Sequence, residues 1–178
     1  MLKKRIGISS CLIGSKVRYD GKDQYHRLIV DSLTEEYELV PFCPEVAIGL
    51  GVPRPKIQLV EVNGQIACLD ELTHQIDYTE QLNQCCEQQS WFEGLSGYIF
   101  KTKSPSCGLS KVKTDYQGEI IANGQGIFAR RLHQLLPELP LIEEDQFNDQ
   151  KIRRDFLAAV SRYNKCYIQN KQSPNGEN

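Results

Sequence analysis

The chain has 178 residues, a net charge of −2, 40% hydrophobic residues and 25% charged residues. That length bounds it to about one domain with a sizeable core, and the near-neutral charge excludes a protein that grips long nucleic acid through many phosphate contacts. No apolar run is long enough to span a bilayer, and the stretch behind Met1-Leu2-Lys3-Lys4-Arg5 is short and broken by Ser9, Ser10 and Gly14, so no signal peptide and a cytoplasmic location are expected.

Arg5–Ser9 predicts a buried first strand, followed by a loop from Cys11 to Gly21. Leu28, Ile29 and Leu33 have the spacing of a helical face within 26–33. Glu38–Phe42 predicts a second strand, closed by Cys43-Pro44, with a helical turn over 45–50. The pair Asn63-Gly64 joins strands 56–62 and 65–69 into a hairpin. A long helix is expected over 73–92, with Ile76, Leu82, Cys85 or Cys86, and Phe92 inward. Gly97–Lys101 predicts a third sheet strand. A second small hairpin is expected across Tyr116-Gln117-Gly118, then a helix over 126–136 and a short strand over 139–142. The last helix is expected over 148–163, capped by Asn148 or Asp149, with Ile152, Phe156, Val160 and Tyr163 on one side. The alternation predicts an α/β fold: a single-domain, Rossmann-like three-layer sandwich with a mostly parallel four-stranded sheet and one or two small β-hairpins. The domain is expected over 1–168, with a disordered polar tail over 169–178.

Seven cysteines cannot all pair with one another. In a reducing compartment, cysteines at turns read as metal-binding or catalytic groups. Cys11, Cys43 and Cys107 lie 32 and 64 positions apart, and each follows a predicted strand. In a parallel sheet ligands bind outside the carboxyl ends of the strands, so the fold rule brings these three together where spacing would not. Thiolates suit an iron–sulfur cluster, zinc or copper(I), and three of them leave one metal position without a protein ligand. A small buried hydrophobe is the plain alternative for each. Cys68, Cys85, Cys86 and Cys166 read as packing or surface thiols.

Glu45, at the start of a helical turn two residues after Cys43, is either a carboxylate beside a metal or a dipole-stabilising first-turn residue. Ser104 and Ser106 flank Pro105; each either caps the turn or supplies a hydroxyl proton. Lys101 and Lys103 either meet an anionic group or are solvated. Arg18 and Tyr19, in a loop too irregular for a phosphate-binding fingerprint, suit a substrate carbonyl or phosphate and a stacked ring, or lie on a plain surface loop. Gly124-Gln125-Gly126 either offers amides to a ligand or is only a turn. His26, His74 and His133 form no metal motif.

Three motifs in order resemble the thiouracil desulfurase family: Cys-Leu-Ile-Gly-Ser-Lys-Val-Arg-Tyr-Asp-Gly at 11–21, Cys-Pro-Glu-Val-Ala-Ile-Gly-Leu-Gly-Val-Pro-Arg at 43–54, and Lys-Ser-Pro-Ser-Cys-Gly at 103–108. Gly-Gln-Gly-Ile-Phe-Ala at 124–129 and Leu-Pro-Leu-Ile-Glu-Glu at 139–144 extend the likeness. The resemblance implies a four-iron–four-sulfur cluster on Cys11, Cys43 and Cys107, with one open iron that binds the substrate's sulfur. It implies Glu45 and Ser104 as the proton-transfer residues, with Ser106 the alternative hydroxyl. The expected substrate is a thiolated nucleobase or nucleoside of the 2-thiouracil, 4-thiouracil or 4-thiouridine class. The expected protein is a monomer or small homo-oligomer with neither nucleic-acid nor membrane partner. Two other readings stay open, a metal-free cysteine-nucleophile enzyme and a non-catalytic iron–sulfur or zinc protein.

Overall fold

The computed structural model describes residues 3–169, without the side chains beyond 166. Residues 170–178 of the tail expected to be disordered lie outside the described residues. In chain order the elements are β1 (Lys4–Ser9), α1 (Arg27–Leu33), β2 (Tyr37–Phe42), α2 (Pro44–Ala47), β3 (Ile57–Val62), β4 (Gln65–Asp70), α3 (Thr79–Glu87), β5 (Gly97–Phe100), β6 (Val112–Tyr116), β7 (Glu119–Gly124), α4 (Ile127–Leu135), β8 (Leu141–Glu143) and α5 (Gln150–Tyr163).

A parallel sheet runs in the order β2-β1-β5-β8. The chain leaves β1 to one side for β2 and returns on the other side as β5. That reversal opens a crevice at the carboxyl ends of β1 and β5. Side-chain alternation splits the core into two layers. Ile6, Ile8, Ile99 and Ile142 face α1 and α5 through Ile29, Leu33, Phe156 and Val160. Tyr98 and Phe100 face the other way, against Cys85 and Cys86 of α3 and Phe128 and Leu132 of α4. Helices on both faces give the expected three-layer α/β arrangement.

The two hairpins are not separate decorations. β3 pairs with β6 in parallel, so both join into a second four-stranded sheet of order β4-β3-β6-β7. Ile57, Leu59, Cys68 and Val112 pack it on Leu82 of α3 and Ile127 of α4. The loop entering β3 thereby approaches the carboxyl edge of the first sheet.

The expected helix over 73–92 is a correction. Regular helix covers only Thr79–Glu87, followed by a 3₁₀ segment at Ser90–Gly94. The Asp70 carboxylate accepts from Ile76 N, Thr73 N and Thr73 Oγ1, which curls residues 70–76 into a loop. Tyr78 N then donates to Cys68 O, and Ile76 is 51% exposed rather than inward. The final helix is capped by Asp149, whose Oδ1 accepts from Lys151 N and Ile152 N, and Ile152 is exposed instead of packed. Among the described residues no helix is long and apolar enough to cross a membrane.

Asp70 supplies a pH prediction. Donors from Ile76, then Thr73, hold its carboxyl down to about 2. A depressed carboxyl stabilises the fold above its unfolded value of about 3.9, and that contribution is lost as pH falls through the folded value. Thermal stability should therefore fall between about pH 4 and about pH 2. Asp70→Asn should show a smaller fall over that window, measured by melting at each pH.

Candidate active site

Each of the three cysteines is presented by a different strand end. Cys11 sits in a 3₁₀ turn, Ser10–Ile13, directly after β1, and Gly14 at φ +95° closes that turn. The Cys11 carbonyl accepts from Gln24 N at 2.9 Å, which ties the following loop back to the turn. Cys43 caps α2; its carbonyl accepts from Ala47 N at 3.0 Å. Cys107 lies in a tight turn after β5 where Gly108 N donates to Ser104 O at 2.8 Å. That turn rests on the start of α4 through Ile127 N to Pro105 O and Ala129 N to Ser106 O. The buried Glu143 at the end of β8 fixes its other side, accepting from Leu109 N and from Ser110 N and Oγ.

Gly126 makes the contact with α4 possible. A Cβ there would stand 2.5 Å from Ser106 C and O and 2.8 Å from Cys107 N. Its amide donates to Gly108 O at 2.7 Å, so it serves the loop and not a ligand. Gly126→Ala is expected to lower stability by about 1–3 kcal/mol through overpacking. It should also displace the Cys107 turn, seen as a lower melting temperature.

A cavity of about 320 Å³ opens at this edge. Nine side chains put forward from the sequence as metal-binding, proton-transfer or substrate-binding groups line it, Cys11, Cys43, Cys107, Glu45, Ser104, Ser106, Arg18, Tyr19 and Lys101, and Lys103 joins them, whereas Gly124, Gln125 and Gly126 do not. Cys68, Cys85, Cys86 and Cys166 do not.

Along one wall runs a directed chain of hydrogen bonds. Ser104 Oγ accepts from Cys107 N at 3.1 Å and lies 3.0 Å from Ser106 Oγ. Ser106 Oγ donates to Glu45 Oε1 at 2.7 Å. Each hydroxyl has a single proton. With the Ser106 proton on the carboxylate, the Ser104 proton goes to Ser106. Of the two serines, Ser106 touches Glu45, and the half-buried Ser104 carries the chain onward along the wall. The other carboxylate oxygen, Glu45 Oε2, accepts from Arg54 Nε at 2.9 Å and Nη2 at 2.7 Å. Arg54 Nη1 donates to Val17 O and Gly51 O, and its side chain is only 5% exposed.

Arg54 is the residue that sequence reasoning did not single out. An arginine between two prolines looks like a solvated loop residue. Its partners Glu45 and Val17 arrive from other segments that no local pattern connects to it. Lys56 is the second omission. Its ammonium lies 5.2 Å from the Tyr19 ring centroid and the Arg18 guanidinium 5.4 Å, so two cations hold that ring at the cavity. Lys101 lines the cavity with its ammonium paired to Glu144.

Burial pushes the Cys11 thiol up to about 11 against the pull of Lys101, and it raises Cys43 and Cys107 as well. Without a metal these are neutral thiols at pH 7. Among the described residues no three His, Cys, Asp or Glu side chains converge closely enough to hold one metal ion. The three thiols share one cavity, and soft sulfur donors of this kind fit an iron–sulfur cluster.

Fold and cavity define an α/β protein with a thiol-lined cavity at the topological switch point of a parallel sheet. The family model described as 2-thiouracil desulfurase matches residues 6–145, and the chain belongs to that family. A solved structure described as a 4Fe–4S-dependent thiouracil desulfidase, TudS, is similar to it with a TM-score of 0.67 and 29% sequence identity. The similarity covers 89% of this chain and 99% of that one. Among curated proteins nothing matches.

Proposed function

We propose that this protein removes sulfur from a thiolated nucleobase or nucleoside of the 2-thiouracil, 4-thiouracil or 4-thiouridine class. Water supplies the replacing oxygen, so C=S plus H₂O gives C=O plus hydrogen sulfide with no net redox change. The observation that carries the reading is the meeting, in one cavity, of three thiols with the Ser104–Ser106–Glu45 chain. Family membership and the similarity to TudS support it.

Cys11, Cys43 and Cys107 would hold the four-iron–four-sulfur cluster. When bound, the cluster supplies a Lewis-acidic iron, free of protein ligand, for the soft thiocarbonyl sulfur. Arg54 orients the Glu45 side chain toward Ser106. Glu45 takes a proton from the attacking water, through Ser106 or directly, and returns it to the departing sulfur. Ser104 passes a proton between the substrate ring and Ser106. Tyr19, steadied by Arg18 and Lys56, offers a face for stacking the base, and Arg18 or Lys101 meets a ring carbonyl.

The metal-free nucleophile is the weaker reading. A reactive cysteine needs a depressed thiol pKa, and burial drives all three the other way. The test is anaerobic loading with iron and sulfide, then incubation with 2-thiouracil, 4-thiouracil and 4-thiouridine. Loss of the thiocarbonyl absorbance with matching sulfide release is the expected result. A fully loaded protein that releases no sulfide from any of the three is a carrier and not a desulfurase.

A further inference from the structure

Among the described residues one buried side-chain oxygen has no hydrogen-bond partner: Tyr98 Oη. Other buried polar groups in this fold are matched. Glu143 accepts from three donors at Leu109 and Ser110, and Ser96 Oγ accepts from Asn164 Nδ2 at 2.9 Å. An unmet hydroxyl in such a setting calls for an acceptor that the protein chain does not supply.

The surroundings of the ring suit phenylalanine. Tyr98 is fully buried, stacks on Phe100 with centroids 4.3 Å apart and meets Phe128 edge-on at 6.0 Å. It lies across Gly7 of β1, where a Cβ would come within 2.3 Å of Tyr98 Cδ2. Nothing apolar in this site needs the hydroxyl. Cys107 packs in the same core layer as Tyr98, and it lines the cavity together with Cys11 and Cys43. A neutral thiol is a poor acceptor, whereas thiolate and inorganic sulfide are anionic and good ones.

The geometry points to Tyr98 as a hydrogen-bond donor to the sulfur of the cluster held by Cys11, Cys43 and Cys107, an assignment that rests on the function proposed above. It is a positioning and tuning residue that does not itself line the cavity. Burial raises its phenol well above the usual value, so it stays a protonated donor at working pH. A donor to cluster sulfur favours the more negative, reduced state and so raises the reduction potential.

Tyr98→Phe tests this in stripped and reconstituted protein. Stripped Tyr98→Phe should melt at the same temperature as stripped wild type or higher, because an unmet hydroxyl is gone. Reconstituted Tyr98→Phe should lose iron to a chelator about tenfold faster than wild type, the scale of one hydrogen bond to a charged acceptor. Its reduction midpoint should move to lower potential. An unchanged midpoint and chelation rate would overturn the assignment, as would a stripped variant that melts well below stripped wild type, which marks the hydroxyl as structural. A wild-type protein that takes up no iron and sulfide overturns the cluster reading itself, and the role of Tyr98 with it.

Discussion

Cys107→Ser should lose both reconstituted iron and sulfide release while keeping the fold. The turn that carries Cys107 is held by bonds that do not involve its sulfur: Gly108 N to Ser104 O, Ala129 N to Ser106 O, and the donors of Leu109 and Ser110 to Glu143. Serine is close to isosteric, so the melting temperature of the stripped protein should stay within a few degrees of wild type. The hydroxyl is a hard and poor iron ligand. Changing an outer partner of a metal ligand costs about 10–100-fold in affinity or activity, and losing a ligand outright should exceed that. Cys11→Ser and Cys43→Ser should behave alike. Iron and sulfide analysis beside a melting curve checks the prediction, and a Cys107→Ser protein that still turns over 2-thiouracil would sink it.

Glu45→Gln should give the opposite separation: iron uptake near wild type, with turnover lower by about 10²–10⁴-fold, the range of a lost proton-transfer group. Glu45 touches Ser106 and Arg54 and is no part of the thiol set. The substitution also strips a nearly buried guanidinium of its counter-charge. Breaking such a pair costs about 3–5 kcal/mol, so the single variant should melt lower than wild type. Glu45→Gln combined with Arg54→Gln should recover part of that stability and none of the turnover. If the double variant regained activity, the loss in the single variant would have been one of folding and not of chemistry.

The parallel sheet, the two hairpins and the positions of the three cysteines follow from local pattern. Ile6 and Ile8 alternate with Gly7, Asn63-Gly64 closes a hairpin, and Cys11 and Cys43 stand at the ends of strands. The union of the hairpins does not, because the β3–β6 pairing joins segments about fifty residues apart by backbone bonds that leave no mark on side-chain spacing. The helix expected over 73–92 fails at its start for a similar reason. Asp70 and Thr73 bond locally to the backbone, and that competes with helix across 73–76. At the cavity, residue type and turn position pointed to all nine candidate side chains. They did not point to Arg54, whose importance lies in burial and in partners from helix α2 and from the loop after β1.

If Cys11, Cys43 and Cys107 hold a cluster with one iron left for the substrate, Mössbauer spectra of protein loaded with ⁵⁷Fe should show one iron distinct from the other three, and adding 2-thiouracil should change that iron alone. Four irons that respond alike, or do not respond, would rule that arrangement out.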